Sequence, residues 1–294
     1  MILFVGCSFT WGSGLQYEYL HEKGWSVDEL NKILPYNYHL ELLDYGADEY
    51  RKTHNWPNLV SKEMNKSFVI GTYNNGGTNM RTIMNSLEHS HAHAQKNAIE
   101  LVVVQFTSWT RDIPKLFGKK NLPYQISRFM HNVMNWSVEK IKKHIPPTNS
   151  YSEEYDEPHD TETQEFIDNE ILRQIKTIAN KCNVLVSNDG GNINTREVHS
   201  VGRDMSKNPY PKWVGMSWLP DLGNVLKKHY PENFIPIYYK GKEYVSFNDI
   251  MHENQLRLCD TFSGLDDTHF NSEGCKVVAN SIVRKLKQYE STTN

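Results

Sequence analysis

The stretch Leu101-Val102-Val103-Val104-Gln105-Phe106 decides the fold class, because it is a short and nearly continuous apolar run. Such a run is typical of a strand that is buried on both faces of a sheet. Two similar runs precede it, Ile2 to Val5 and Ser67 to Ile70. Helices are predicted before and after the second of these, at about 56–65 and 80–96. Alternating strands and helices favour an α/β protein with a mainly parallel sheet.

The second half of the chain continues the same pattern. A helix is predicted from about Thr163 to Lys181, followed by a fourth parallel strand at 183–187. We expect one domain over residues 1–294, because no other part of the chain has the pattern of a second core. Insertions are expected at about 115–165 and 188–262.

Composition limits the classes of partner. The formal net charge is −3, so no broad basic surface for nucleic acid is expected. No apolar run approaches the ~20 residues that a membrane-spanning helix needs. Residues 1–5 are apolar but carry no basic flank, so they do not resemble a signal peptide. We therefore expect a cytoplasmic protein without a membrane or nucleic-acid partner. The four cysteines show no C-x-x-C spacing and are expected to be reduced thiols.

A serine directly after the first strand is the first candidate for chemistry. Ligands bind at the carboxyl ends of the strands in parallel sheets, and Ser8 follows Ile2 to Val5 at that edge. Alone, a serine at this position would more simply be a helix N-cap. Near the other end of the chain, however, Asp266-Asp267-Thr268-His269 contains carboxylates and an imidazole. Nucleophile, general base and orienting carboxylate are the three parts of a serine hydrolase.

The spacing of the two aspartates favours one of them as the orienting carboxylate. Asp266 lies three residues before His269, and on one turn its carboxylate can reach the imidazole Nδ1. Nε2 is then left to accept the Ser8 proton. We therefore predict Ser8 as nucleophile, His269 as general base and Asp266 as the orienting group, in preference to the neighbouring Asp267. The alternative for this segment is a turn that caps the last helix, with His269 on the surface.

Both segments resemble the SGNH (GDSL-type) hydrolase family. Gly6-Cys7-Ser8-Phe9-Thr10 is similar to its first block, Gly-x-Ser-x-Thr/Ser, with Cys7 where the family usually has Asp. Asp266 to His269 is similar to its last block, Asp-x-x-His. Gly76-Gly77-Thr78-Asn79 resembles the second block, whose glycine N–H would join that of Ser8 in an oxyanion hole. The resemblance makes Gly76 the first candidate and Gly77 the alternative, and Asn79 is a candidate for substrate binding.

The third block departs from the family. After the third strand the family has Gly-x-Asn-Asp, whose Asn side chain donates to the oxyanion, but this chain has Thr107-Ser108-Trp109-Thr110. Thr107, Ser108 and the Trp109 indole each carry a proton that could take that place. Losing one such donor typically costs ~100- to 1,000-fold in rate. Arg111 could bind an anionic substrate group, and its alternative role is a surface salt bridge.

The resemblance implies a flavodoxin-like, three-layer α/β/α sandwich and a serine esterase or acylhydrolase that needs no metal or other cofactor. The expected substrate is a carbohydrate or small-molecule ester of an acetyl or other short acyl group. Two alternatives stay open: an acyltransferase with the same triad, and an inactive SGNH-like binding or structural module, which the missing Asn makes credible. His89 and His93 would share a helix face as a metal pair, but no acidic or Cys partner lies in that segment.

Overall fold

A computed structural model describes residues 1–33, 45–71, 83–87, 99–107, 161–186 and 208–293. Within them, four strands form one parallel sheet in the order β2-β1-β3-β4: β1 (Ile2–Val5), β2 (Phe68–Ile70), β3 (Leu101–Phe106) and β4 (Trp213–Ser217). Two shorter strands pair antiparallel: β5 (Ile237–Tyr239) and β6 (Lys242–Tyr244). The predicted α/β class with a mainly parallel sheet is confirmed.

Helices connect and follow these strands. Those described are α1 (Ser8–Trp11), α2 (Leu15–Glu22), α3 (Val27–Ile33), α4 (Tyr45–His54), α5 (Trp56–Met64), α6 (Thr161–Leu185), α7 (Pro220–His229), α8 (Phe247–Asn254), α9 (Leu258–Thr261) and α10 (Ser272–Thr293). Residues 83–87 are also helical. The helix predicted at about 56–65 is confirmed as α5, with Pro57 in its first turn and Asn55 as its N-cap. Among the described helices, none combines the length and the apolar character that crossing a membrane requires.

The two central strands, β1 and β3, are buried on both faces. Side chains alternate between the faces of a sheet, so Ile2 and Phe4 enter one apolar cluster while Leu3 and Val5 enter another. The first cluster includes residues of α5 and α10, and the second includes residues of α6 and α7. Two buried faces explain why these strands are apolar at almost every position. The sheet thereby carries the first residues of the chain through the core and places Ser8 at its carboxyl edge.

The prediction of a fourth strand at 183–187 is wrong. Residues 183–185 belong to the end of α6, and the strand next to β3 is Trp213–Ser217. Buried side chains of α6 keep a helical spacing up to Cys182, so the apolar residues that follow complete its last turn. The actual strand lies within the range 188–262 that was expected to be an insertion. Residues 115–160 of the other expected insertion lie outside the described ranges.

Candidate active site

Ser8 lies on a tight turn between β1 and α1. Gly6 and Cys7 connect the two elements, and Ser8 is the first residue of α1. A Cβ at Gly6 would lie 2.1 Å from Thr10 Oγ1 and 2.7 Å from Gln105 Oε1, so any larger residue would displace both. The turn therefore requires glycine for space, and it presents Ser8 at the end of a central strand.

Gln105 holds this turn from the neighbouring strand β3. Its Oε1 accepts hydrogen bonds from the Cys7 backbone N–H (2.9 Å), the Cys7 thiol (2.9 Å) and the Thr10 hydroxyl (3.2 Å). Its Nε2 donates to the Phe106 carbonyl at 3.2 Å, and the side chain is fully buried. Sequence reasoning missed this residue, although a lone polar side chain inside an apolar strand indicates a buried hydrogen-bonding role.

Side chains of α4, of α5 and of Asn55 between them hold the carbonyl end of α1. A helix of one turn leaves most of its carbonyls without an internal partner. The Trp56 indole donates to the Phe9 carbonyl at 3.0 Å, and the Asn55 amide donates to the Trp11 carbonyl at 3.3 Å. Arg51 donates to the same Trp11 carbonyl at 2.8 Å, and its guanidinium lies 3.5 Å from the Trp11 ring centroid. These donors replace the bonds that α1 cannot make itself.

The segment that carries Asp267 and His269 is neither helix nor strand, and it pairs with the start of α9. The Cys259 N–H donates to the Asp267 carbonyl, and the Leu258 N–H donates to the His269 carbonyl, both at 2.9 Å. These two bonds hold the backbone of Asp267 and His269 against the first residues of α9. Burial raises the pKa of the Cys259 thiol, the charge of Arg257 opposes this rise, and the charges of Asp260 and Asp267 add to it.

Ser8, His269 and Asp267 form a continuous hydrogen-bond relay. His269 Nε2 lies 2.8 Å from Ser8 Oγ, and His269 Nδ1 lies 2.7 Å from Asp267 Oδ1. The same carboxylate oxygen accepts the His269 backbone N–H at 2.8 Å, which closes a local turn. The Asp267 side chain is 2% exposed and that of His269 is 24% exposed, so the carboxylate is enclosed while the imidazole stays accessible. With Nδ1–H donating to the carboxylate, Nε2 accepts from the serine hydroxyl.

The carboxylate against His269 is Asp267, so the prediction of Asp266 at this position is wrong. Asp266 is exposed, and its backbone N–H donates to the Asn31 side chain at 3.0 Å. A three-residue offset suits a helical turn, in which such side chains meet. The chain is not helical here, and Asp267 Oδ1 contacts both the backbone N–H and the ring Nδ1 of His269, so the partner lies two residues before it instead.

Gly14 brings the two segments into contact. Its backbone is left-handed, with φ +94°. A Cβ there would lie 2.2 Å from Leu258 Cδ1, 3.1 Å from Asp267 Oδ2 and 3.4 Å from His269 Cβ. Both the conformation and the space therefore require glycine. Its presence lets the chain after Ser8 pack directly against the Asp267–His269 pair.

Glu18 makes a second link between these parts of the chain. Its carboxylate accepts the Ser272 N–H at 2.8 Å, at the start of α10, and the Tyr50 hydroxyl at 3.1 Å. A negative charge near the N-terminus of a helix is favourable. Burial raises the pKa of Tyr50, and the charge of Glu18 adds to the rise. Helix α2 is thus joined to the helix that begins just after His269.

Most residues predicted to bind the oxyanion or the substrate lie outside the described ranges. These are Gly76, Gly77, Asn79, Ser108, Trp109 and Arg111, together with His89 and His93 of the considered metal pair. Thr107 is described: it is fully buried after β3, and its hydroxyl has no hydrogen-bond partner in the described part of the chain. The Ser8 backbone N–H also has no acceptor among the described residues, as expected for the first N–H of a helix. Within the same ranges, no group of three His, Cys, Asp or Glu could hold a metal ion.

The arrangement of Ser8, His269 and Asp267 can activate the serine hydroxyl as a nucleophile. A hydroxyl that donates to an imidazole becomes a strong nucleophile at neutral pH when an enclosed carboxylate holds that imidazole.

Comparisons with family models, with curated proteins and with solved structures find no match to this chain. The case for a function therefore rests on the geometry and chemistry of the relay.

Proposed function

We propose that this chain is a serine esterase or acylhydrolase that removes an acetyl or other short acyl group from a carbohydrate or small ester. The observation that carries the proposal is the 2.8 Å contact of His269 Nε2 with Ser8 Oγ, continued by the 2.7 Å contact with Asp267. Ser8 and His269 are 261 positions apart in the sequence. A serine that only caps a helix needs no such partner, so the relay supports a catalytic role over a structural one.

In the first half-reaction, Ser8 Oγ attacks the carbonyl carbon of the ester while His269 Nε2 accepts the hydroxyl proton. Asp267 holds the imidazole in the tautomer with a proton on Nδ1 and stabilises the imidazolium that forms. The tetrahedral intermediate then expels the alcohol, and His269 returns the proton to the leaving oxygen. The products of this step are acylated Ser8 and the free alcohol.

In the second half-reaction, water attacks the acyl group on Ser8 while His269 takes a proton from that water. The bond from the acyl carbon to Ser8 Oγ breaks, and His269 gives the proton back to Ser8. A carboxylic acid leaves, and the relay returns to its starting state.

The negative oxygen of each tetrahedral intermediate needs hydrogen-bond donors. The Ser8 N–H is one candidate because α1 leaves it unpaired, and the resemblance adds the N–H of Gly76. Thr107 is the described candidate for the third donor, since its buried hydroxyl has no partner among the described residues. The Ser8, Thr107 and Gly76 donors would together replace the family's set without its Asn.

We also propose that the fold is the three-layer α/β/α sandwich of the SGNH type. Its support is a parallel sheet with both faces buried, with α5 and α10 in one cluster and α6 and α7 in the other. The order of the site residues adds to this support. The serine follows the first strand, and the histidine precedes the last described helix.

Hydrolysis of p-nitrophenyl acetate and of a panel of O-acetylated sugars tests the proposed activity. We expect turnover by the wild type and a loss of at least ~10⁴-fold in Ser8→Ala, because the nucleophile is gone. Ser26→Ala is the control, since the Ser26 hydroxyl bonds to Glu29 at 2.7 Å on an exposed helix start. That control should keep the wild-type rate. A folded wild type without turnover on the whole panel, or equal rates in Ser8→Ala, would overturn the proposal.

A further inference from the structure

Two buried polar atoms, a hydrogen-bond acceptor in the relay and a hydrogen-bond donor beside it, suggest an additional contact. Within the described part of the chain, Asp267 Oδ2 accepts no hydrogen bond and Gln16 Nε2 donates none. As whole residues, Gln16 is 1% exposed and Asp267 is 4% exposed, so water at the surface reaches neither side chain freely. Buried polar atoms in native proteins almost always have a partner, because leaving one without a hydrogen bond is costly.

Gly14 lies against both side chains. Its N–H donates to Gln16 Oε1 at 3.0 Å, so the Gln16 amide group lies against Gly14. A Cβ on Gly14 would lie 3.1 Å from Asp267 Oδ2, so the carboxylate lies against the same residue. The donor and the acceptor without partners therefore flank a position that has no side chain to separate them.

We propose that Gln16 is a positioning residue for the relay, and that its Nε2 donates to Asp267 Oδ2 through one ordered water. A water bridge of this kind gives both buried atoms a partner. It also fixes the carboxylate at both ends, because Oδ1 is already bound to His269. A carboxylate held at both oxygens keeps Oδ1 facing the imidazole. The inference deepens the proposed function and rests on it for the role of the relay.

The test substitutes Gln16 in two ways. Gln16→Met keeps the length of the side chain and removes the amide. Gln16→Glu keeps an oxygen acceptor for the Gly14 N–H, removes the amide donor and adds a carboxylate on the side of Asp267. Gln174→Met is the matched control, because Gln174 is a buried glutamine, 5% exposed, on α6. Helix α6 packs in the other apolar cluster, away from Phe9 and the Ser8 turn.

The first readout is the His269 Nδ1–H proton resonance in protein labelled with ¹⁵N-histidine. Without the Gln16 donor, Asp267 accepts the Nδ1–H more strongly, so the resonance should move downfield in both Gln16 variants. The second readout is the pair kcat and KM on the best ester of the substrate panel. A less firmly held carboxylate should lower kcat by about tenfold and leave KM unchanged. If Gln16 had a purely structural role, its substitution would leave the resonance where it is, and kcat would not fall while KM stays unchanged.

An unchanged resonance in both Gln16 variants, or an equal shift in Gln174→Met, would overturn the inference. The resonance does not depend on turnover. A protein that hydrolyses no ester would thus overturn the proposed function, while the spectra would still decide whether Gln16 bonds to Asp267.

Discussion

The turn that carries Ser8 and the segment that carries Asp267 and His269 are held in different ways. Side chains from other elements hold the Ser8 turn, such as Gln105 of β3 and Trp56 of α5. Backbone hydrogen bonds to residues 256–259 hold the Asp267–His269 segment. A side-chain bond is lost with one residue, whereas a backbone bond survives most substitutions. Away from the relay itself, single substitutions should therefore disturb the Ser8 turn more than the opposite segment.

The largest effect is expected where the two parts meet. His269→Ala should lower kcat by about 10⁴-fold or more, because Ser8 loses its proton acceptor. Steady-state hydrolysis of the best ester measures the loss. The control is His252→Ala, an exposed histidine of α8, which should keep the wild-type rate. A His269→Ala rate within tenfold of the wild type would show that the contact of Ser8 with His269 is not used in catalysis.

The next largest loss of kcat is expected at only one of the two adjacent aspartates. Asp267→Asn should lower kcat by about 10³- to 10⁴-fold, because an amide in place of the carboxylate no longer favours the Nδ1–H tautomer. Asp266→Asn should stay within about twofold, since an exposed charge outside the relay contributes little. Kinetics of both variants under the same conditions give the comparison. The reverse order of the two losses would restore the assignment of Asp266 and refute the contact of Asp267 with His269.

A smaller effect tests whether side chains hold the Ser8 turn. Gln105→Leu removes the acceptor of the Cys7 N–H and the Thr10 hydroxyl and leaves both buried without it. The free energy of unfolding should fall by about 3 kcal/mol, because each such group costs about 1–3 kcal/mol. We expect kcat to fall by roughly 10- to 100-fold, since a misplaced nucleophile is costly.

Urea unfolding and ester hydrolysis measure the two effects. Cys7→Ala is the control, because it removes only the thiol donor and keeps the backbone bond to Gln105. It should change kcat by less than the Gln105 variant. Equal kcat for Gln105→Leu and the wild type would remove the distinction between the two ways of holding the site.

The smallest expected effect concerns the contact between the two segments. Gly14 and Gly24 both have a left-handed backbone, with φ +94° and +96°, but a Cβ at Gly24 would meet nothing within 4 Å. Gly24→Ala should therefore cost only the backbone strain of about 1 kcal/mol, with unchanged kcat. Gly14→Ala adds a collision with Leu258 and Asp267, so stability should fall further and kcat by about tenfold. The same loss in both variants, measured by urea unfolding and hydrolysis, would show that the contact at Gly14 does not position the relay.

The Ser8 turn could be predicted because its determinants are local. A buried strand, a glycine and a serine follow one another within a few residues, and the carboxyl edge of a parallel sheet fixes where they lead. The choice between Asp266 and Asp267 could not be made from the local sequence. It depends on whether the segment forms a helical turn, and backbone hydrogen bonds to residues 256–259 hold it in a non-helical form.

The fourth strand was missed for a similar reason. Trp213–Ser217 is buried at every position but contains Gly215, which weakens its strand pattern. A Cβ at Gly215 would lie 2.6 Å from the Phe106 ring, so this glycine is required by a neighbour on another strand. Gln105 is likewise required by distant partners, since Cys7 and Thr10 lie 98 and 95 positions earlier in the sequence. The local pattern shows that such a residue differs from its neighbours, but it does not show which partner requires it.

Labelling with a fluorophosphonate probe, followed by peptide mass spectrometry, tests the central claim most directly. The probe forms a stable adduct only with a serine that an adjacent base activates. We predict one adduct on Ser8 in the wild type, none in Ser8→Ala, and much slower labelling in His269→Ala. A folded wild-type protein that stays unlabelled, or an adduct on any serine other than Ser8, would contradict the account.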